Sequence, residues 1–333
     1  MRTRPFHTLH TPFHDLLAAR DGFLLTGHEN PDGDCLGAQV ALFHLLQALG
    51  KRVAIVNPDP LGHPFDFLAD KAPFSFAKAD TPLPQFEVAV LLDCSQLSRT
   101  GALAPRLRAS GATIAVIDHH IGSEKGDGTV CYVDPKAAAT GALVRRLYRD
   151  FGVSLPLPAA EGVFLSLVMD TGWFRYSNTD VETLTLAAEL VGAGVDASRI
   201  YDAIYRRMHP ETAAMLATCL TRHELLLGGK LALVPIDKVL NERLAQIAFD
   251  TDLVIDPLRS LLGVEVVAIL KERFDGTVKV SMRAKGDIDV QRIASTFGGG
   301  GHKKAAGAAI PGGMAAAHAA LVERARLAFA AVH

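Results

Sequence analysis

The sequence predicts an α/β protein of two domains: an N-terminal parallel sheet flanked by helices, a helical linker, and a smaller C-terminal α/β domain. Three observations predict it. Four short apolar runs between Asp21 and Ile121 alternate with stretches of helical character, the pattern of strands buried on both faces of a parallel sheet. The chain has 333 residues, beyond the size at which a single core usually keeps growing. Its last third changes character, to strands joined by a hairpin signal and a run of four glycines.

The strands are read from GFLLTGH, KRVAIVN, EVAVLLD and ATIAVIDHH, and the first helix from CLGAQVALFHLLQALG. Three strands end in polar clusters, at His28–Asp34, Asp93–Ser95 and Asp118–His120. In an open parallel sheet the ligand crevice lies outside the carboxyl ends of the strands, so these clusters are expected to converge. Residues 137–226 read as successive helices, and Gly194 and Pro210 punctuate them. KLALVPI, GVEVVAILKER and TVKVSMRAKG read as strands, FDG as the hairpin turn between the last two, and MAAAHAALVERARLAFAA as a terminal amphipathic helix. The expected boundaries are residues 1–205 for the first domain, 206–226 for the linker and 227–333 for the second domain.

Composition narrows the function. Hydrophobic residues make up 49% and charged residues 21% of the chain, and mean hydropathy is +0.20, which excludes a disordered protein. Thirty-four Lys and Arg against 36 Asp and Glu give a net charge of −2, so no whole-molecule positive field holds long nucleic acid. An anionic substrate must be met locally. Cys35, Cys94, Cys131 and Cys219 form no CxxC pair, which argues against a zinc knuckle or a disulfide framework and fits a reducing cytoplasm. No uncharged apolar run approaches the roughly 18 residues a membrane helix needs.

Five clusters carry chemistry. GHENPDGD places His28, Asp32 and Asp34 between a strand and a helix, a set that suits a divalent cation, although Asp32 and Asp34 equally suit a helix cap. Asp93 ends a strand, which a turn or cap also explains. Asp118, His119 and His120 end another strand, and burying them without partners would cost roughly 2 to 7 kcal/mol per polar group. Asp170 closes an apolar helical segment, where an anion opposes the helix dipole unless a cation is near. FGGGGHKKAAGA reads as a glycine turn opening a helix, with its N–H groups, His302 and two lysines available to an anion. The other nine histidines, among them His7, His10 and His333, lack such surroundings and read as solvated or packed residues. Trp173 could stack a base or simply pack.

In combination, the order HxxxDxD, D, DHH and DTG, followed by SMR and GGGGH, resembles the DHH phosphoesterase superfamily with its DHH-associated C-terminal domain, from about residue 20 to 312. The motif texts look most like the bifunctional nanoRNase and pAp phosphatase group. The larger single-strand exonucleases of the superfamily carry further domains, and GGGGHKKAAG argues against its inorganic pyrophosphatases. The resemblance implies that His28 and Asp32 bind one manganese ion, that Asp34, His119 and Asp170 bind another, and that Asp93 bridges both. Cobalt and magnesium are the implied substitutes. It implies that His120 faces the substrate phosphoryl group and that Arg283 and His302 hold substrate phosphate, with Gly300 and Gly301 allowing close approach. It implies Arg99 as a further substrate contact, since an arginine after the second cluster recurs in the family pattern. The active site would lie in the interdomain cleft.

The implied activity is manganese-dependent hydrolysis of oligoribonucleotides of two to five nucleotides, and of 3'-phosphoadenosine 5'-phosphate (pAp) to AMP. The implied setting is a cytoplasmic homodimer with no membrane or long-duplex partner. Two alternatives stay open: a phosphodiesterase for the signalling dinucleotides c-di-AMP, pApA and pGpG, and a non-catalytic nucleotide-binding regulator. Ala38, Cys35 and the text Ser281-Met282-Arg283-Ala284 depart from the family pattern without removing an implied ligand.

Overall fold

The computed structural model describes residues 11–78, 81–247 and 249–331; His7, His10 and His333 lie outside them. The chain divides between Arg207 and Met208 into two units.

The first unit runs α1 (Thr11–Ala19), β1 (Phe23–Thr26), α2 (Gly33–Ala48), β2 (Val53–Asn57), β3 (Phe74–Phe76), β4 (Val88–Leu92), α3 (Ala104–Ala109), β5 (Thr113–Asp118), β6 (Val130–Val133), α4 (Thr140–Asp150), α5 (Leu157–Asp170), α6 (Val181–Gly192) and α7 (Ala197–Tyr205). Its strands form one sheet in the order β3-β2-β1-β4-β5-β6, and every pair is parallel. The order reverses between β1 and β4, and such a switch point opens a crevice at the strands' carboxyl ends. β1 and β4 are buried at every position, as their unbroken apolar sequences require. β3 and β6, too short and mixed to carry a periodic signal, extend the sheet at its edges.

Helices α2 and α5 are buried nearly all round and meet at two glycines. A Cβ on Gly37 would lie 2.3 Å from the Gly162 carbonyl oxygen, and one on Gly162 would lie 2.6 Å from that of Gly37. Only hydrogen fits there. This contact sets the relative position of Asp32, which caps α2, and Asp170, which ends α5.

The second unit runs α8 (Pro210–Thr221), β7 (Glu224–Leu226), β8 (Leu231–Ile236), α9 (Lys238–Gln246), α10 (Asp252–Arg259), β9 (Val266–Glu272), β10 (Val278–Ala284), α11 (Val290–Ser295), β11 (Gly300–His302), β12 (Ala305–Ile310) and α12 (Gly313–Ala330). Its sheet, β11-β12-β10-β9-β8-β7, is mixed: β8 and β9 are parallel and the other pairs antiparallel. Met282, Ile293, Leu321 and Phe329 share one core, and Cys219, Leu240, Leu258, Val267 and Ile269 another. Residues 206–226, expected to link two domains, fold largely onto this sheet: Cys219 of α8 enters its core, and β7 pairs with β8.

The glycine run corrects an expectation. It does not open a helix; Gly300–His302 is a strand that pairs with β12 through a two-residue turn at Lys303 and Lys304. The β12 text AAGAAI has the composition of a helix, and its pairing with Val278–Arg283 overrides that preference.

Candidate metal centre

The first cluster grows out of β1. Asp32 caps α2, its Oδ1 accepting the N–H groups of Asp34 and Cys35 at 3.0 and 3.1 Å, which turns the first helical turn so that Asp34 points inward. Asp34 is fully buried. Its carboxylate accepts the Thr140 N–H at 2.9 Å and the Gly141 N–H at 3.3 Å, from the start of α4, and the Ser166 hydroxyl of α5. Asp32 is thus both a cap and a member of the site.

Asp93 follows β4 with φ at 60°, a left-handed conformation that is strained for a residue with a side chain and is typically held at functional sites. Its N–H donates to the Ile117 carbonyl at 3.0 Å, and its Oδ1 accepts from the Thr140 hydroxyl at 3.1 Å. Asp118 ends β5, 1% exposed. Its Oδ1 accepts from the backbone of His119 and His120 and, at 2.7 Å, from His120 Nδ1; its Oδ2 accepts from Ser123 Oγ at 2.5 Å. The Asp118 carboxylate is therefore used up in orienting its neighbours.

Two candidate ligand sets result. His28, Asp32 and Asp93 form one, and Asp34, His119 and Asp170 the other, each with one donor atom per residue within 4.8 Å of the rest. Asp93 reaches both: its Oδ2 is 3.5 Å from His28 Nε2 and its Oδ1 3.7 Å from His119 Nε2. His119 Nε2 also lies 3.4 Å from Asp34 Oδ2 and 2.9 Å from Asp170 Oδ2. In both histidines Nδ1 donates to a backbone carbonyl, that of Glu29 at 2.8 Å for His28 and that of Ala137 at 3.2 Å for His119. This fixes the tautomer that presents a bare Nε2, the usual outer-shell arrangement of a metal-ligating imidazole. Asp93, His119 and His120 also cluster, but His120 approaches through Nδ1, which Asp118 already engages.

Electrostatics agree with a cation site. Burial, with Asp93 and Asp170 close by, holds the Asp34 carboxyl well above the ordinary carboxylate range, and burial with Asp93 raises Asp32. Burial alone would lower His28 and His119, but the surrounding carboxylates outweigh it, Asp93 foremost for His28 and Asp170 for His119. Crowded carboxylates hold protons when no other positive charge is at hand. His119 Nε2 is also buried without a hydrogen bond of good geometry. A divalent cation resolves both features at once, so the residues fit one. His120 is raised by its bond to Asp118, and Asp118 is lowered because the bonds to His120 and Ser123 outweigh its burial.

The remaining predicted residues are not members of these sets. Arg99 is exposed on the 3-10 turn Leu97–Leu103, and its carbonyl accepts the Glu29 N–H at 2.8 Å. Arg283 and His302 belong to the second unit. Both pair with Ala305, across β10 and β11, so their side chains share one sheet face. Gly300 and Gly301 are exposed beside them. Arg283 Nη2 is 3.3 Å from Asp252 Oδ1.

Sequence reasoning missed Thr140, Ser166 and Ser123. A lone serine in the apolar text of α5 was the available signal for Ser166, and nothing local marks the other two. No helix among the described residues is long and apolar enough to cross a membrane.

Comparison with known proteins gives a consistent picture. The chain is 34% identical over 301 residues, 90% of its length and 87% of the relative's, to the bifunctional oligoribonuclease and PAP phosphatase NrnA of Thermus thermophilus. It is 27% identical over 305 residues to the cyclic-di-AMP phosphodiesterase GdpP of Geobacillus thermodenitrificans, covering 86% of this chain but 44% of that protein. A crystal structure of an exopolyphosphatase-related protein from Bacteroides fragilis superposes with a TM-score of 0.83, at 23% identity and 98% coverage of both chains. The DHH family N-terminal domain matches residues 23–167 and the DHHA1 domain residues 230–331, and with them the chain belongs to the DHH family.

Proposed function

We propose that the chain is a manganese-dependent phosphoesterase that hydrolyses oligoribonucleotides of two to five nucleotides to mononucleotides and dephosphorylates pAp to AMP. The observation that carries this is the pair of candidate ligand sets with Asp93 in reach of a histidine from each, and with both histidines locked to offer Nε2. The relation to NrnA over most of both chains supports the substrate class. His28 and Asp32 would hold one ion, Asp34, His119 and Asp170 the other, and Asp93 both. Mixed imidazole and carboxylate donors favour manganese over magnesium, which prefers oxygen ligands and keeps its waters. The proposed setting is the cytoplasm and the proposed assembly a homodimer.

When bound, a pair of divalent cations lowers the pKa of water toward neutrality and offsets the charge that gathers on the phosphoryl oxygens. The protein's own residues do the rest. His120, with Nδ1 engaged by Asp118 and its side chain half exposed, offers Nε2 as a proton donor to the phosphoryl or leaving oxygen. Arg283 and His302 would grip a terminal phosphate, with Gly300 and Gly301 admitting it to the backbone, and Arg99 would add a contact.

The test is to incubate the protein and manganese separately with pApA, a pentanucleotide, a long single-stranded RNA, pAp and c-di-AMP, and to follow AMP and phosphate release. AMP from pApA and pAp, fading with chain length and lost in Asp93→Ala, is the expected result. Turnover confined to c-di-AMP would move the assignment to signalling dinucleotides. No release from any substrate by a manganese-loaded protein would overturn the enzymatic reading.

A further inference from the structure

The aromatic segment that follows Asp170 has no part in the hydrolytic chemistry above. Gly172, Trp173 and Phe174 carry φ values of 55°, 56° and 63°, and the N–H groups of Arg175 and Tyr176 both donate to the Thr171 carbonyl, at 2.9 and 3.0 Å. Left-handed backbone at two successive bulky residues persists only where the surroundings enforce it, and it concentrates at binding and catalytic sites. Here it folds Tyr176 back over Gly172, two residues after Asp170.

The rings fall into two kinds. Trp173 packs edge-on to Phe164, 6.1 Å between centroids, and to Tyr201, 5.0 Å; packing explains it. Tyr176 is different. A Cβ on Gly172 would lie 2.5 Å from its ring, so the ring rests flat on a glycine, yet Tyr176 is 52% exposed. Tyr201 and Tyr205, both edge-on to Trp173, have centroids 4.9 Å apart and are half exposed, and Tyr205 is close enough to Tyr176 for their charges to interact. The Arg175 guanidinium lies over the Tyr176 ring, 6.0 Å from its centroid, with Nε donating to the Gly172 carbonyl at 2.6 Å, and that of Arg206 lies 5.7 Å over Tyr201 and 3.0 Å from Asp202 Oδ1.

This ledge is tied to the metal centre at both ends. Met169 packs against Gly33, between Asp32 and Asp34, and Asn178 Nδ2 donates to the Asp170 carbonyl at 3.1 Å. A half-exposed ring backed by a glycine, with guanidinium groups beside it, is the chemistry that accepts a nucleobase: every base has a π-face to stack, and the cations attract the phosphates that join bases.

We propose that Tyr176, backed by Gly172 and flanked by Arg175 and the Tyr201–Tyr205 pair, is a stacking platform for a nucleobase of the substrate whose phosphate lies at the metal centre. The proposal rests on the phosphoesterase reading and adds a base-tolerant specificity element to it.

The test compares wild type, Tyr176→Phe and Tyr176→Leu in steady-state kinetics on pApA and on an analogue lacking the bases. A dinucleotide carrying 2-aminopurine, whose fluorescence falls on stacking, is titrated alongside without turnover. Leucine keeps apolar bulk on Gly172 but removes the π-face. It should raise KM for pApA on the order of tenfold or more, leave kcat within a few fold, and abolish the quench. Phenylalanine should behave as wild type, and the base-free analogue should not distinguish the three proteins. Unchanged KM and quench in Tyr176→Leu overturn the platform. So does an equal loss on the base-free analogue, or a change of sedimentation with unchanged KM, which would make the ring a contact between copies. A wild type that quenches 2-aminopurine but hydrolyses nothing would instead overturn the phosphoesterase reading and leave the platform standing.

Discussion

At the scale of single residues, His120 depends on a short relay. Ser123 donates to Asp118 Oδ2 and Asp118 Oδ1 accepts from His120 Nδ1, with Asp118 and Ser123 almost wholly buried. The relay fixes which ring nitrogen faces outward and favours the charged imidazole. Asp118→Asn keeps the acceptor oxygen and the size while removing the charge. It should lower kcat about ten- to a hundredfold, within the range general acid catalysis supplies, and leave KM and manganese affinity near wild type. A manganese titration and a kcat against KM comparison check this; weakened metal binding at unchanged kcat would mean that Asp118 serves His119 instead. The residues of this site differ in how legible they were. Asp118, His119 and His120 stood out because consecutive ionisable groups at a strand end are costly to bury without partners, whereas His28, Asp32, Asp34, Asp93 and Asp170 were legible as a set only through the order of motifs that resembles the DHH superfamily. Thr140 and Ser166 did not stand out, because a hydroxyl in an apolar run acquires meaning only when another helix brings a carboxylate to it.

At the scale of elements, the spacing between Asp34 and Asp170 is set by how closely α2 and α5 approach. Their contact is backbone against backbone at Gly37 and Gly162, so a methyl group cannot be absorbed by a side chain swinging away. Gly37→Ala should therefore force the helices apart, cost about 1–3 kcal/mol as overpacking usually does, and weaken manganese binding by moving the ends that carry the carboxylates. Gly192→Ala, where a Cβ meets nothing within 4 Å, is the matched control and should melt like wild type. Circular-dichroism melting and a manganese titration on both variants decide it; a Gly37→Ala protein as stable and as tightly binding as the control would show that the approach can relax. Neither glycine was singled out in the sequence, where a glycine within an apolar helix marks only a weak helix former. The longer helices of the first unit were legible from the length of their apolar runs, whereas β12 was hidden by its alanines and β6 by its brevity.

At the scale of the whole molecule, the fold class followed from apolar runs alternating with helices, and the division of the chain from the change of character in its last third. The near-balance of charge, 34 basic against 36 acidic residues, places recognition in a few aimed contacts instead of a broad field. The division has an energetic consequence. All six proposed ligands lie in the first unit, which ends at Arg207, so metal binding adds stability to that unit directly. At a manganese concentration one hundred times its dissociation constant the gain is about 2.7 kcal/mol. Hydrogen exchange of the full chain with and without manganese should show this as slower exchange of amides in β1, β4, β5, α2 and α5, by roughly a hundredfold for those that open only on unfolding of the unit. Amides of β9 and β10 should exchange at the same rate in both conditions. Equal slowing in β9 and β10 would mean that the two units unfold as one, and no slowing in β1 and β4 would remove the metal from the cluster around Asp93.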